Sequence, residues 1–214
     1  MDEEVKKQDI DANTYHFFFN HGIYDELVNF KDLITETKDF LKGKTFTKEE
    51  KNDERFGKET QYKGIFPMIL WKSLFLSSYF LLENSLNQIC KNLKKSNSYR
   101  LSINEISGNG IFRSSLYLKK VCDVVKSFQS NKWAEITDFN KIRNVLVHSD
   151  GVFPKTNIEM IKICQKYGQI ALTEYEEDNL NIEFDSEFCK YSLWIIEELF
   201  QEIHVEMKNV KNSL

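Results

Sequence analysis

Apolar residues recur at helical spacing along most of this chain. A first amphipathic stretch runs from about Ile23 to Leu41. A longer one starts near Pro67 and places Trp71, Leu74, Phe75, Ser78, Tyr79, Leu82, Leu86, Ile89, Cys90 and Leu93 on one face. The i, i+3, i+4 recurrence predicts a helix of many turns, and proline suits its first turn. Glu83 lies at the edge of that stripe. A third helix is expected over about 114–128. A fourth should start near Asn131 and end at "SDG", where Gly151 supplies a C-terminal stop. A short helix from about Asn157 to Tyr167 follows. The period then changes. Ile170 and Leu172 alternate with polar neighbours, as do Leu180, Ile182 and Phe184, with the polar "EEDN" between them. Alternation of this kind predicts a β-hairpin. The last helix covers about 186–208, with Phe188, Tyr191, Ile195, Leu199 and Ile203 on its apolar face. The expected class is all-α: an antiparallel helical bundle with a small β-hairpin before the last helix.

The stretch 42–64 breaks the pattern. It is charged and poor in aliphatic residues, which predicts a mobile connector. Thr47 and Glu50 stand three apart there, the spacing of a capping box on a short helix. The expected division is an N-terminal helix and connector, residues 1–64, packed on a main helical domain of residues 65–214. The total of 214 residues suits one domain, and only two prolines and eight glycines interrupt it.

Charge narrows the function classes. The formal net charge of −4 gives no support for a general nucleic-acid coat protein. Local basic clusters remain: Lys91, Lys94, Lys95 and Arg100; Lys119 and Lys120; Lys141 with Arg143. The ordinary reading of such clusters is a solvated helix face. Cys90, Cys122, Cys164 and Cys189 form no C-x-x-C pair, so reduced core cysteines are expected, and no zinc site. The opening "MDEEVKKQDI" is too polar for a signal peptide. The apolar run from Ile65 to Leu82 contains Pro67, Lys72 and three serines and reads as a helix buried on more than one side rather than a membrane span. These features predict a cytoplasmic protein with no membrane partner.

The chemistry concentrates in "DFNKIRNVLVHSDG", residues 138–151. Arg143 shares a helical face with the apolar Ile136, Phe139, Leu146 and Val147. A charge in such a stripe needs a partner or a water-filled cleft, and Glu83 is the expected carboxylate. Asn144 and His148 are four apart and share an adjoining face. Arg143 and His148 differ by roughly 140° around a helix of 3.6 residues per turn, so both can border one cleft. His148 sits in the last turn, where exposed carbonyls and the nearby Asp150 favour the imidazolium. That keeps the imidazole in a range useful for acid–base work. His16 and His21, in "YHFFFNHG", and His204, on a charged helix and expected to be solvated, have no catalytic setting. No phosphate-cradling glycine loop, H-E-x-x-H or nucleophile elbow is present.

"WAEITDFNKIRNVLVHSDG" resembles the signature helix of the HEPN superfamily, an arginine followed four to six residues later by histidine, with a polar residue after the arginine. "SSYFLLENSLNQICKNL" is similar to the partner helix, with Glu83 in its acidic position, and the resemblance covers about residues 65–208. It implies a HEPN-like bundle and a metal-independent endoribonuclease of toxin or antiviral-defence type, without a cofactor, acting as a homodimer. Arg143 would bind the scissile phosphate, His148 would serve as general acid or base, Asn144 would orient them, and Glu83 would hold Arg143. Lys141, Lys94, Lys95, Lys119 and Lys120 are expected as secondary RNA contacts. The implied partners are tRNA or mRNA and an antitoxin or defence-system protein. In one control route of the family a tyrosine two residues after the histidine is modified; Asp150 occupies that position here and puts the route in doubt. Two other readings stay open: a non-catalytic HEPN-like module binding RNA, nucleotide or protein, and an unrelated helical interaction protein in which Arg143 pairs internally with Glu83.

Overall fold

Four phenylalanines tie the centre of the molecule together. Phe75, Phe139, Phe184 and Phe188 come from different elements, yet Phe75 lies 5.3–6.0 Å, centroid to centroid, from each of the other three. The structure is a computed structural model, and it describes residues 22–51, 57–97 and 99–211. Helix α1 spans Tyr24–Lys42, α2 spans Phe66–Asn97, α3 Gly110–Val121, α4 Asn131–Ser149, α5 Ile158–Lys166 and α6 Ser186–Lys211. Strands β1 (Val152–Pro154), β2 (Ile170–Tyr175) and β3 (Asn179–Phe184) form one antiparallel sheet in the order β1-β3-β2. The fold is mostly helical with this small sheet.

Helix α2 forms the axis. It buries the residues of its apolar stripe and also Leu81 and Ser85, so it is enclosed on more than one side. Its polar interior is self-satisfied: the buried Ser78 hydroxyl donates to the Leu74 carbonyl at 2.8 Å. By length and composition the continuous helix Lys58–Asn97 is apolar enough to cross a membrane, and 39% of its most apolar window is buried inside the fold. Helix α6 packs on α1, α2 and α4. Its contact with α1 buries Leu27 and Ile34 and carries ion pairs Lys31–Glu197, at 2.7 Å, and Lys38–Glu187.

Several expectations change. Residues 57–65 do not behave as connector: Lys58–Thr60 is helical and Gln61–Ile65 is a π-helical stretch running directly into α2. The Thr47–Glu50 capping box does form, with reciprocal bonds of 3.0 and 3.3 Å. Helix α3 starts at Gly110 and stops at Val121, earlier than the apolar pattern suggests. Asp123 turns the chain with φ 58°, and a 3₁₀ turn over Lys126–Gln129 replaces the expected last helical turn. The hairpin β2–β3 has a third strand, β1, beside it. Three residues ending in proline carry too little alternation to announce a strand. His204 is buried rather than solvated. His16 and His21 lie outside the described residues. All four cysteines are free and buried, and burial pushes the thiols of Cys122, Cys164 and Cys189 up to about 12.

Candidate active site at the end of helix α4

The buried face of α4 consists of Trp133, Ile136, Phe139, Ile142 and Leu146. Ile142 is fully enclosed, whereas Val147 is 48% exposed. Trp133, Ile136, Phe139 and Leu146 follow the sequence pattern, and Ile142 takes the place of Val147, which turns the centre of the face by roughly 35° on an ideal helix. Arg143 falls within that face and is half-buried. Its Nη1 donates to Asn144 Oδ1 at 3.1 Å, and its guanidinium carbon lies 5.9 Å from the centroid of the Tyr79 ring, within cation–π range. The Tyr79 hydroxyl donates to Asn140 Oδ1 at 2.8 Å. Burial first, then the charge of Glu83, push the Tyr79 phenol above its usual range, against a smaller opposing pull from Arg143. It therefore stays a neutral donor and wall for the guanidinium.

Glu83 does not pair with Arg143 among the described residues. Its half-buried carboxylate lies instead against Gly110, where an added Cβ would come 3.5 Å from Oε1. Gly110 opens α3, and the exposed amides of a first helical turn attract a carboxylate. That competition explains the missing ion pair. No described carboxylate neutralises Arg143.

His148 occupies the last turn of α4, fully on the solvent side, without a hydrogen bond to another described residue. The helix ends with Asp150 in the left-handed region, φ 51°, and the Gly151 amide returns to the Val145 carbonyl at 3.2 Å, a left-handed C-terminal cap. Gly151 is buried with φ 93°, and a Cβ there would come 3.1 Å from Lys72 Nζ and 3.2 Å from Asn181 Oδ1. Lys72 comes across from α2. Its Nζ donates to the Asp150 carbonyl at 2.7 Å and lies 3.7 Å from the Asp150 carboxylate. So Asp150, expected to act on His148, is engaged by Lys72. The register reaches the sheet, because the Ile182 amide donates to the Gly151 carbonyl at 2.9 Å.

Sequence reasoning missed three contributors here: Lys72, Tyr79 and Asn140. Their signal lies in spacing. Lys72, Tyr79 and Glu83 are seven and four residues apart, one edge of α2. Asn140 precedes Arg143 by three, one turn along α4.

The expected RNA-contacting lysines do not gather at this site. Lys141 is exposed and pairs with Glu159 at 2.7 Å. Lys94 donates to the Tyr99 and Arg100 carbonyls, both at 3.1 Å, and so closes its own loop. Lys95 is exposed in the last turn of α2, and Lys119 and Lys120 occupy the last turn of α3. Fifteen residues of α2 separate Tyr79 from Lys94, about 22 Å at 1.5 Å per residue. Among the described residues no three His, Cys, Asp or Glu side chains cluster as metal ligands. A groove of about 1090 Å³ lies between the 3₁₀ turn and the far end of α6, at the opposite end of α4. No protein-family model, no curated protein and no solved structure matches this chain.

Proposed function

We propose that this protein is a metal-independent endoribonuclease of HEPN type, acting on tRNA or mRNA in the cytoplasm as a toxin or antiviral-defence effector. The observation that carries the reading is Arg143: a guanidinium held half-buried against Tyr79, oriented by Asn144, and without a carboxylate partner among the described residues. A cation fixed by neutral groups keeps its charge for an incoming phosphate. The exposed His148, on the same end of α4, supplies the proton chemistry.

In this mechanism a neutral imidazole removes the proton of an RNA 2′-hydroxyl. The 2′-oxygen attacks the adjacent phosphorus, the bond from phosphorus to the 5′-oxygen breaks, and an imidazolium protonates that leaving oxygen. The products are a 2′,3′-cyclic phosphate and a 5′-hydroxyl. Arg143 stabilises the charge that builds on the phosphoryl oxygens. One chain supplies one such histidine, so base and acid come from two copies whose α4 ends face each other. Glu83 acts at a distance, by holding the Gly110 turn beside Tyr79 rather than by gripping Arg143. An antitoxin or defence-system partner would control the dimer cleft.

A second reading is favoured by one observation: the exposed imidazole of His148 has no orienting hydrogen bond to another described residue. A non-catalytic module that binds RNA, nucleotide or a protein partner would leave it so.

The test incubates the purified chain, with Arg143→Ala and His148→Ala, with tRNA and mRNA in EDTA. Loss of acid–base catalysis or of phosphate stabilisation should each reduce cleavage by about 10²–10³. Cleavage by the wild type alone, leaving cyclic phosphate ends, supports the enzyme. RNA binding without cleavage supports the second reading, and equal cleavage by all three proteins removes these residues from the site.

A further inference from the structure

Away from α4, the end of α1, the π-helical stretch before α2 and the start of α6 enclose a pocket of about 480 Å³. Its charge runs against that of the whole chain. Lys38, Lys42, Lys44 and Lys63 line it, and Asp185 is the one acidic lining residue. Two of these lysines are already matched: Lys38 pairs with Glu187, and Lys63 with Glu59 at 2.5 Å. Lys42 and Lys44 have no acidic partner among the described residues. Lys44 instead rests over the rings of Phe40 and Tyr62, its Nζ 4.4 and 5.4 Å from their centroids. Asp185 is committed to the chain, because its Oδ1 accepts the Glu187 amide at 2.8 Å.

The local backbone reinforces this arrangement. A π-helical turn widens a helix and is retained mostly where it positions side chains for a task. Here Gln61–Ile65 turns Tyr62 and Lys63 into the pocket wall. Leu41, Pro67 and Trp71 form an apolar back wall. Two lining ammonium groups without an acidic partner among the described residues, beside an apolar wall, suit a molecule with a phosphate and a compact organic body. The volume lies in the range of small-molecule sites.

We propose that this pocket binds a phosphate-bearing ligand, with Lys42 and Lys44 as its phosphate contacts. The phosphate has two sources with the same chemistry, a free nucleotide or the backbone of single-stranded RNA. The site is independent of the ribonuclease reading.

The experiment removes the α4 site from consideration by using the full-length Arg143→Ala/His148→Ala protein throughout. Inorganic phosphate and ADP are titrated by calorimetry, and a labelled twelve-residue oligouridine by fluorescence anisotropy at several salt concentrations. The comparison adds Lys42→Glu and Lys44→Glu together; both side chains are on exposed residues, and thermal melts check that the fold is kept. At least tenfold weaker binding of ADP or phosphate in the charge-reversed protein assigns a free phosphorylated ligand. The same loss for the oligouridine alone, with a salt slope shallower by about 1.4, assigns an RNA backbone. Failure of all three probes to bind, or binding indifferent to the two lysines, overturns the proposal.

Discussion

The two ends of α4 are built on opposite principles. At the start, Ser130 Oγ accepts the Trp133 amide at 3.2 Å and donates to the Ser127 carbonyl at 2.9 Å. The preceding 3₁₀ turn is gripped by Glu206 from α6, which accepts the amides of Val125, Lys126 and Ser127 and the Ser127 hydroxyl at 2.7–2.8 Å. One carboxylate meets four donors. At the other end the backbone is equally well held, by Lys72 on the Asp150 carbonyl and by Ser149 Oγ on the Val152 carbonyl at 2.6 Å. The side chains there are not. Among the described residues Arg143 meets only a neutral amide and a ring, and His148 has no hydrogen-bond partner. A fold that satisfies four donors with one glutamate can provide a counter-ion where stability alone is at stake. Among the described residues Arg143 has no such counter-ion, which is the feature that the proposed function relies on.

The largest expected effect breaks the well-satisfied end. Glu206→Ala leaves three amides and a hydroxyl without their charged acceptor. Hydrogen bonds to charged groups contribute about 1.5–3 kcal/mol each, though not additively, so we expect a loss of roughly 3 kcal/mol. For a chain of this size that lowers the midpoint by about 6–12 °C, read by a thermal melt. RNA cleavage at a temperature where the variant is folded should persist, because the change is remote from Arg143. Lys72→Met comes next. Methionine keeps the buried stem but removes the ammonium from the α4 terminus, at a cost of roughly 2 kcal/mol. Amides from His148 to Gly151 should then exchange faster with deuterium. Unchanged exchange there would show that the left-handed cap holds the end without Lys72.

The same contrast explains what the sequence made legible. Hairpin alternation over residues 170–184, the Thr47–Glu50 box and the run from Asn131 to Gly151 are local patterns, and the structure follows them. Arg143 and His148 lie five residues apart on one helix, so their placement at one end was readable. The partners were not. Whether Glu83 turns to Arg143 or to the first turn of α3 depends on where α3 docks. The periodicity puts Arg143 within the apolar stripe, but how far its long side chain reaches toward solvent, leaving it half-buried, depends on what packs against that face. Whether Lys94, Lys95, Lys119 and Lys120 could reach the motif as secondary contacts depends on the length of α2 and on where α3 docks, neither of which a local pattern gives. Glu206, 79–81 residues away from the turn it grips, has no local signal at all.

A smaller effect sharpens the unsatisfied end. Asn140→Asp preserves an oxygen to accept from the Tyr79 hydroxyl and places a carboxylate three residues before Arg143, within reach along the helix. The new ion pair would give Arg143 the counter-ion the fold withholds. We expect RNA cleavage to fall about tenfold, equivalent to about 1.4 kcal/mol of transition-state stabilisation. Stability should change by only a few tenths of a kcal/mol, as for partly exposed pairs. A variant with full cleavage would show that the uncompensated charge is not what the site uses.

The smallest effect concerns pH and returns to Glu206. Burial pushes its carboxyl up, but the three amides and the hydroxyl outweigh burial and leave it below the ordinary value of 4.5. A group depressed in the folded state stabilises the fold above its unfolded pKa, and loses that contribution as pH falls through the folded value. The advantage of wild type over Glu206→Gln should therefore be constant from pH 7 to about 5. It should shrink steadily below 4.5, measured by urea unfolding at each pH. Glu50, Glu105 and Glu187 are depressed as well, so the wild type alone cannot reveal the effect, whereas the difference between the two proteins cancels those shared terms. A difference that stays flat to pH 3 would mean that the hydrogen bonds of Glu206 work equally well with a neutral carboxyl. The charge contrast between the two ends of α4 would then reduce to one of geometry.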